Sequence, residues 1–106
     1  MPLFKLKLQQ TYFKQGFFNV VIDYDRYVRK TDGPVRLRLG HNGTEIDGKV
    51  NRQVNNNGTA RVLGGAQLRK WFQQNFKPLD TVAVDLSSEE VIVLDKKISS
   101  RTANSG

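Results

Sequence analysis

Cysteine is absent from this chain of 106 residues, histidine and tryptophan occur once each, and proline occurs three times. Without cysteine the protein has neither a disulfide framework nor a thiolate metal site, which favours a reducing, intracellular compartment. The amino terminus, M-P-L-F-K-L-K-L, alternates apolar and basic residues, so we expect no signal peptide and no membrane span. With 38% hydrophobic residues, the chain is predicted to form one domain around a single modest core.

Negative charge is the scarcer sign, because 17 lysine and arginine residues outnumber 10 aspartate and glutamate residues and leave a net charge of +7. No acidic residue occurs between Lys49 and Lys77, and no basic residue occurs between Asp80 and Asp95. This segregation predicts a basic side and an acidic side, and a basic side favours a polyanionic partner such as nucleic acid. The alternative is a surface of solvated lysines that serves no partner.

Short segments of alternating apolar and polar residues dominate the chain and predict β-strands. Turn signals separate them, including H-N-G at 41–43 and N-N-N-G-T at 55–59. Residues 9–16 lose the alternation and are interpreted as an exposed arm that ends at Gly16. The predicted strands cover residues 4–8, 17–22, 35–39, 44–52, 60–63, 81–86 and 91–94.

Two short helices are predicted between the strands. Asp23 has the position of an N-cap for a helix over 24–29. A second helix over 65–76 is predicted from the spacing of its large apolar residues, Leu68, Trp71, Phe72 and Phe76. These elements predict a mainly β (α+β) fold, a seven-stranded open pseudobarrel with the helices plugging its ends. The domain is expected to occupy residues 1–95, and residues 96–106 are interpreted as a linker or flexible tail.

Patterns typical of catalysis are missing from the sequence. The one histidine, His41, lies in a turn, and no serine has a base partner near it along the chain. Glu45, Asp47 and Lys49 alternate loosely as on a strand of a metal-dependent nuclease, but a solvated strand face explains the same pattern more simply. The sequence therefore predicts no enzyme activity, no catalytic residue, no metal site and no cofactor.

Two segments are rich in side chains that bind base edges. Arginine bridges two acceptors of guanine, and asparagine or glutamine bridges an acceptor and a donor of adenine, so such side chains discriminate base pairs in the major groove. The alternative for N-N-N-G-T is an ordinary hairpin loop. One segment offers Gln9, Gln10, Thr11, Lys14 and Gln15, and the other offers Arg52, Gln53, Asn55, Asn56, Asn57, Thr59 and Arg61.

Three stretches carry a family resemblance: G-F-F-N-V-V-I-D-Y-D-R-Y-V at 16–28, V-L-G-G-A-Q-L-R-K-W-F-Q-Q-N-F at 62–76 and L-D-T-V-A-V-D at 79–85. In their order they resemble the B3-like DNA-binding pseudobarrel domains, above all the recognition or effector domains of restriction endonucleases of the EcoRII and UbaLAI type. The motifs are loose and extend to about Asp95. Leu79 stands where that family usually has a glycine.

The resemblance implies sequence-specific binding of double-stranded DNA through two arms in the major groove, by a domain that does not cut DNA itself. The arms correspond to residues 9–19 and 52–61, which adds Tyr12 and Asn19 to the candidate contacts. It also implies a nuclease domain as partner, in the same chain or complex. A monomer in a prokaryotic cytoplasm is the expectation that goes with it.

Three alternatives to this interpretation remain. A B3 domain of the transcription-factor type has the same fold and the same arms. A binder of single strands or RNA needs aromatic side chains for base stacking, and Tyr12 and Phe13 are the candidates. A protein-interaction module is the third alternative, and its binding would be indifferent to salt.

Overall fold

The structure is a computed structural model that describes residues 2–40 and 43–96. Its strands are β1 (Leu3–Lys7), β2 (Phe17–Asn19), β3 (Gly33–Leu39), β4 (Thr44–Asn51), β5 (Arg61–Leu63), β6 (Thr81–Asp85) and β7 (Val91–Asp95). Its helices are α1 (Gln10–Gln15), a 3₁₀ helix (Ile22–Tyr27) and α2 (Gly65–Asn75). Residues 41–42 of the H-N-G turn and residues 97–106 of the predicted tail lie outside the described residues.

The seven strands belong to one sheet in the order β1-β6-β7-β3-β4-β5-β2. β3 and β7 are parallel, and the other neighbours are antiparallel. β1 and β2 form the two edges of the sheet, so the half-barrel that it makes is open between them. The prediction of a mainly β fold, with a seven-stranded open barrel and a few short helices, is confirmed.

The inward-facing residues of the strands build the core. In β4, for example, Ile46 and Val50 are buried, whereas Asp47 and Lys49 between them are exposed. α2 adds Leu68 and Phe72, and burial of a side chain of this size contributes about 1.5 to 3 kcal/mol. No helix in the described part of the chain has the length and apolarity needed to cross a membrane.

Residues 9–16 differ from the predicted exposed arm, because most of them form the helix α1. Tyr12 and Phe13 pack against the core, and Gln73 Nε2 of α2 donates a hydrogen bond to the Phe13 carbonyl oxygen at 3.2 Å. Gly16, which was predicted to end the arm, is the C-cap of this helix, with φ of 79°. A Cβ at Gly16 would collide with the carbonyl oxygen of Gly65. A helix that packs only two adjacent, partly buried side chains against the core leaves no helical period in the sequence.

The segment after β2 also corrects the sequence interpretation. β2 ends at Asn19, earlier than predicted, and the helix expected over 24–29 is the 3₁₀ helix Ile22–Tyr27. Asp23 is not its N-cap; that position is held by Val21, and no side chain caps the helix. The carboxylate with a structural role is Asp25, which binds groups of the chain beyond β4. That long-range contact has no local sequence signal.

Candidate functional site

An open groove of about 700 Å³ lies beside the two edge strands, and we call it the edge groove. Residues 5–7 of β1 line one part of it, and residues 19–22 at the end of β2 line another. Gln9 and Tyr12, at the start of α1, and residues of the loop between β4 and β5 complete the lining. The edge groove therefore brings together the two segments that the sequence analysis proposed as DNA-binding arms.

The first segment contributes only part of its predicted residues to this groove. Gln9, Tyr12 and Asn19 line it. The Tyr12 ring packs edge-on against the Phe17 ring, with 5.2 Å between the ring centroids. The four other polar residues of the segment are exposed on α1 and do not line the groove: Gln10, Thr11, Lys14 and Gln15.

The second segment contributes most of its predicted residues. Asn55, Asn56, Asn57 and Thr59 line the edge groove. Thr59 is buried and donates its hydroxyl to Asn57 Oδ1 at 2.8 Å, and its N–H donates to the same oxygen at 3.1 Å. Gln53 is exposed outside the lining. The loop is therefore folded on its own amide side chains instead of extending into solvent as a free arm.

Asn19 joins the two segments. Its Oδ1 accepts hydrogen bonds from Asn55 Nδ2 at 3.1 Å and from Arg61 Nε at 3.0 Å. Because Arg61 Nε can only donate, Asn19 must present its oxygen, and Asn55 must then present its nitrogen. The same Asn55 Nδ2 donates to the Thr59 carbonyl oxygen at 3.1 Å, which requires the same orientation. The Arg61 guanidinium also lies over the Phe17 ring at 4.5 Å from its centroid, which holds it in place.

Arg52 is bound within the protein. Its Nη1 lies 2.7 Å from Asp25 Oδ2, in an ion pair whose side chains are 13% and 22% exposed. Its Nε donates to the Arg29 carbonyl oxygen at 2.9 Å and its Nη1 to that of Gly58 at 3.2 Å. Asp25 Oδ1 also accepts the Ala60 N–H at 2.8 Å. Arg52 was a candidate base contact; its donors are used inside the chain, and the ion pair anchors both ends of the loop.

Six residues that line the edge groove were not among the predicted contacts, and four of these six are exposed. Lys5 and Lys7 alternate along β1 and were interpreted as an ordinary solvated face. Only the strand order shows that β1 is an edge of the sheet beside the groove. Val21 and Ile22 were assigned to the short apolar strand over 17–22, but they follow the end of β2 and are exposed. Two adjacent apolar residues beyond a strand carry no signal that separates core from surface.

The charged residues that line the edge groove are of one sign. Lys5 and Lys7 line it, and no aspartate or glutamate does so in the part of the chain that the structure describes. A second groove, of about 730 Å³, is lined by three basic and three acidic residues, and we call it the balanced groove. Its charged residues are Arg29, Lys30, Arg36, Asp47, Glu89 and Glu90. The predicted acidic side is thus partly neutralised by basic neighbours.

The carboxylates of β4 face arginines of β3. Glu45 Oε2 accepts hydrogen bonds from Arg38 Nη2 at 2.7 Å and Arg38 Nε at 3.2 Å. The Arg38 hydrogen bond lowers the pKa of Glu45; burial opposes this shift, and the charges of Arg38 and Arg36 add to it. Asp47 lies 3.7 Å from Arg36. Among residues 2–40 and 43–96, no group of three or more acidic or histidine side chains is placed to hold a metal ion.

Comparison with known proteins gives no assignment. No protein-family model matches the sequence, and no curated protein matches it. The case for a function therefore depends on the geometry of the edge groove.

Proposed function

We propose that this protein binds double-stranded DNA at the edge groove and reads base edges there with carboxamide side chains. The observation that carries the proposal is the lining of that groove, in which amide side chains from both chain segments stand beside lysines and no carboxylate is included among the described residues. Cationic and amide groups without opposing acid match phosphates and base edges.

The asparagine network leaves specific groups for a partner. Asn19 uses its oxygen for Asn55 and Arg61, and Asn55 uses its nitrogen. Within the described residues, Asn19 Nδ2 and Asn55 Oδ1 therefore keep a donor and an acceptor without a protein partner. A single carboxamide discriminates adenine by offering one donor and one acceptor, and Asn19 and Asn55 together offer the same two kinds of group. Asn57 adds a second donor, because its oxygen is taken by Thr59.

The lysines are assigned to phosphates. Lys5 and Lys7 are exposed on the edge strand and have no carboxylate within 4.0 Å among the described residues. Lys14 is exposed on α1, farther from the lining. Such contacts contribute affinity through counterion release and carry no sequence information. Arg52, in contrast, is assigned to positioning the loop between β4 and β5.

The packing of the aromatic residues favours a duplex over a single strand. Stacking platforms for unpaired bases need an accessible aromatic face. Tyr12 and Phe13 are both packed against the core, and the Tyr12 ring meets Phe17. We therefore retain duplex DNA as the ligand. The family resemblance supports a non-catalytic recognition or effector domain of a restriction endonuclease, with a nuclease domain as partner.

Binding to duplexes with and without the groove lysines tests the proposal. A target is first selected from a pool of randomised duplexes, and its affinity is measured over a range of salt concentrations. The Lys5→Gln/Lys7→Gln variant is expected to bind every sequence more weakly. Its plot of log affinity against log salt should be shallower by about 2, one unit for each lost phosphate contact.

The matched control removes two positive charges elsewhere. Lys30→Gln/Arg36→Gln changes the net charge equally but alters the balanced groove. It is expected to keep the wild-type salt dependence. If both double variants lose affinity alike, general charge is responsible, and the edge groove is not the binding site. If the wild-type protein binds no duplex even at low salt, the proposed function is wrong.

A further inference from the structure

Four large apolar side chains are substantially exposed in the described part of the chain: Val21 (45%), Ile22 (67%), Val54 (45%) and Leu79 (58%). Val21 and Ile22 are adjacent and line the edge groove together with Asn19 and Asn55. Val54 and Leu79 do not line it. The edge groove thus contains an exposed apolar pair beside its asparagine network.

The backbone holds this pair outward. Val20, directly before it, is buried, and its N–H donates to the Ala60 carbonyl oxygen at 2.9 Å. Directly after it, Tyr24 donates its N–H to the Val21 carbonyl oxygen at 3.0 Å and stacks on Phe4 with 5.3 Å between ring centroids. Both flanks are therefore anchored to the core, and the backbone between them places Val21 and Ile22 at the surface.

Duplex DNA offers one apolar feature in the major groove, the 5-methyl group of thymine, which 5-methylcytosine shares. Phosphates and the other base edges are polar. Asp23, the next residue, is exposed, and its negative charge would repel a phosphate at this point. An apolar pair between asparagines and an acid therefore suits a base edge better than the DNA backbone.

We propose that Val21 and Ile22 contact pyrimidine 5-methyl groups, beside the base that the Asn19 and Asn55 carboxamides read. This inference rests on the proposed function and makes the apolar pair a determinant of specificity. Methyl contact gives preference for thymine over uracil at the same position. It also gives preference for 5-methylcytosine over cytosine where that base lies against Val21 and Ile22.

The test compares duplexes that differ only in methyl groups. The duplex selected from a randomised pool is remade with deoxyuridine in place of each thymidine in turn. Wild-type protein is expected to lose about four-fold in affinity at one or two positions, the effect of removing one buried methyl group. Ile22→Ala removes the more exposed of the two side chains and is expected to lose most of this preference. Ile22→Val should retain part of the preference, because valine lacks only the terminal methyl group of isoleucine and keeps both branches at Cβ.

Val54→Ala and Leu79→Ala are the matched controls, since each shortens an exposed apolar side chain outside the groove lining. Both should keep the four-fold preference. If wild-type protein binds the duplex but does not distinguish thymine from uracil, or if Ile22→Ala keeps the preference, the methyl contact is wrong while DNA binding stands. If Ile22→Val loses the same amount of affinity for the thymine duplex and for the uracil duplex, the methyl contact is also wrong. The side chain then has a different role. Absence of any duplex binding would instead overturn the proposed function.

Discussion

The edge groove and the balanced groove are nearly equal in size, about 700 and 730 Å³, but their charges are arranged differently. In the edge groove Lys5 and Lys7 stand among amides without a carboxylate in the described lining. In the balanced groove three basic and three acidic residues contribute to the lining. The positive charge in the lining of the edge groove is therefore uncompensated at the place where the proposed base contacts collect.

Arginine is used differently in the two regions. Arg52 lies inward beneath the loop of the edge groove and is bound by Asp25. Arg36, on the wall of the balanced groove, is 53% exposed and reaches Glu45 and Asp47 at 3.5 and 3.7 Å. Arg52 thus holds the loop in place from within the protein, whereas Arg36 is itself part of the exposed surface. A charge read from sequence therefore does not reveal which role it has.

The largest effect is expected from Arg52→Ala. Removing the guanidinium leaves the Asp25 carboxylate partly buried without its partner, and unfolding free energy should fall by about 3 kcal/mol. Chemical denaturation measures this loss. The loop between β4 and β5 should also lose protection from hydrogen exchange at Ala60, whose N–H shares the Asp25 carboxylate.

Arg36→Ala is the control for this prediction, because its ion pairs are solvent-exposed. Its expected cost is below about 1 kcal/mol. Equal losses of unfolding free energy in the two variants would contradict the distinction between the internal Arg52 and the exposed Arg36. Arg52→Lys should not restore stability, because a lysine lacks the planar set of donors that Arg52 divides among several acceptors.

A smaller effect, of opposite sign, is expected at the turn before β6. Asp80 N–H donates to the Lys77 carbonyl oxygen at 3.1 Å, and Leu79 between them has φ of 75°. This is the pattern of a type II turn with leucine where glycine is favoured. Leu79→Gly should therefore stabilise the protein by about 0.5 to 1 kcal/mol in thermal or chemical unfolding.

Gly58→Ala provides the reverse experiment in the loop of the edge groove. Gly58 has φ of 76°, and an added Cβ would meet no atom within 4 Å, so the change tests backbone strain alone. It should destabilise the protein by about 1 kcal/mol. If Leu79→Gly destabilises the protein, the leucine side chain makes a contribution larger than the strain that it causes.

The smallest effect concerns the paired charges of the β3–β4 hairpin. Arg38 lowers the pKa of Glu45, so the pair stabilises the fold above the ordinary glutamate pKa of about 4.3, and this contribution is lost as pH falls through the lower folded value. Glu45→Gln should make the acid limb of stability against pH shallower. Arg38→Gln should do the same, and unchanged acid limbs in both variants would contradict the pairing.

Alternation of apolar residues was sufficient to predict the strands, because each strand has one face in the core. The alternation over 35–39 and 44–52 gave β3 and β4 within a few residues. α1 was missed because a short helix packed by Tyr12 and Phe13 alone shows no period. The order of the strands, which makes β1 and β2 the edges, depends on long-range pairing and was not accessible.

The residues of the edge groove were predicted only in part, because local composition was accessible from the sequence and long-range contacts were not. Residue type alone singled out the asparagines of the loop as candidate base contacts, and they line the edge groove. The partner of Arg52, however, lies 27 residues away in the chain, so local composition could not distinguish an internal ion pair from a free arginine. Lys5 and Lys7 line the edge groove only because the strand order puts β1 at the edge of the sheet.

Amide chemical shifts measured during titration with a selected duplex give the most direct test of where DNA binds. The account predicts that the changes concentrate at residues 5–22 and 52–61, around the edge groove. Residues 29–36 and 89–90, around the balanced groove, should stay unchanged. Changes centred on the balanced groove, or none at saturating duplex, would contradict the account.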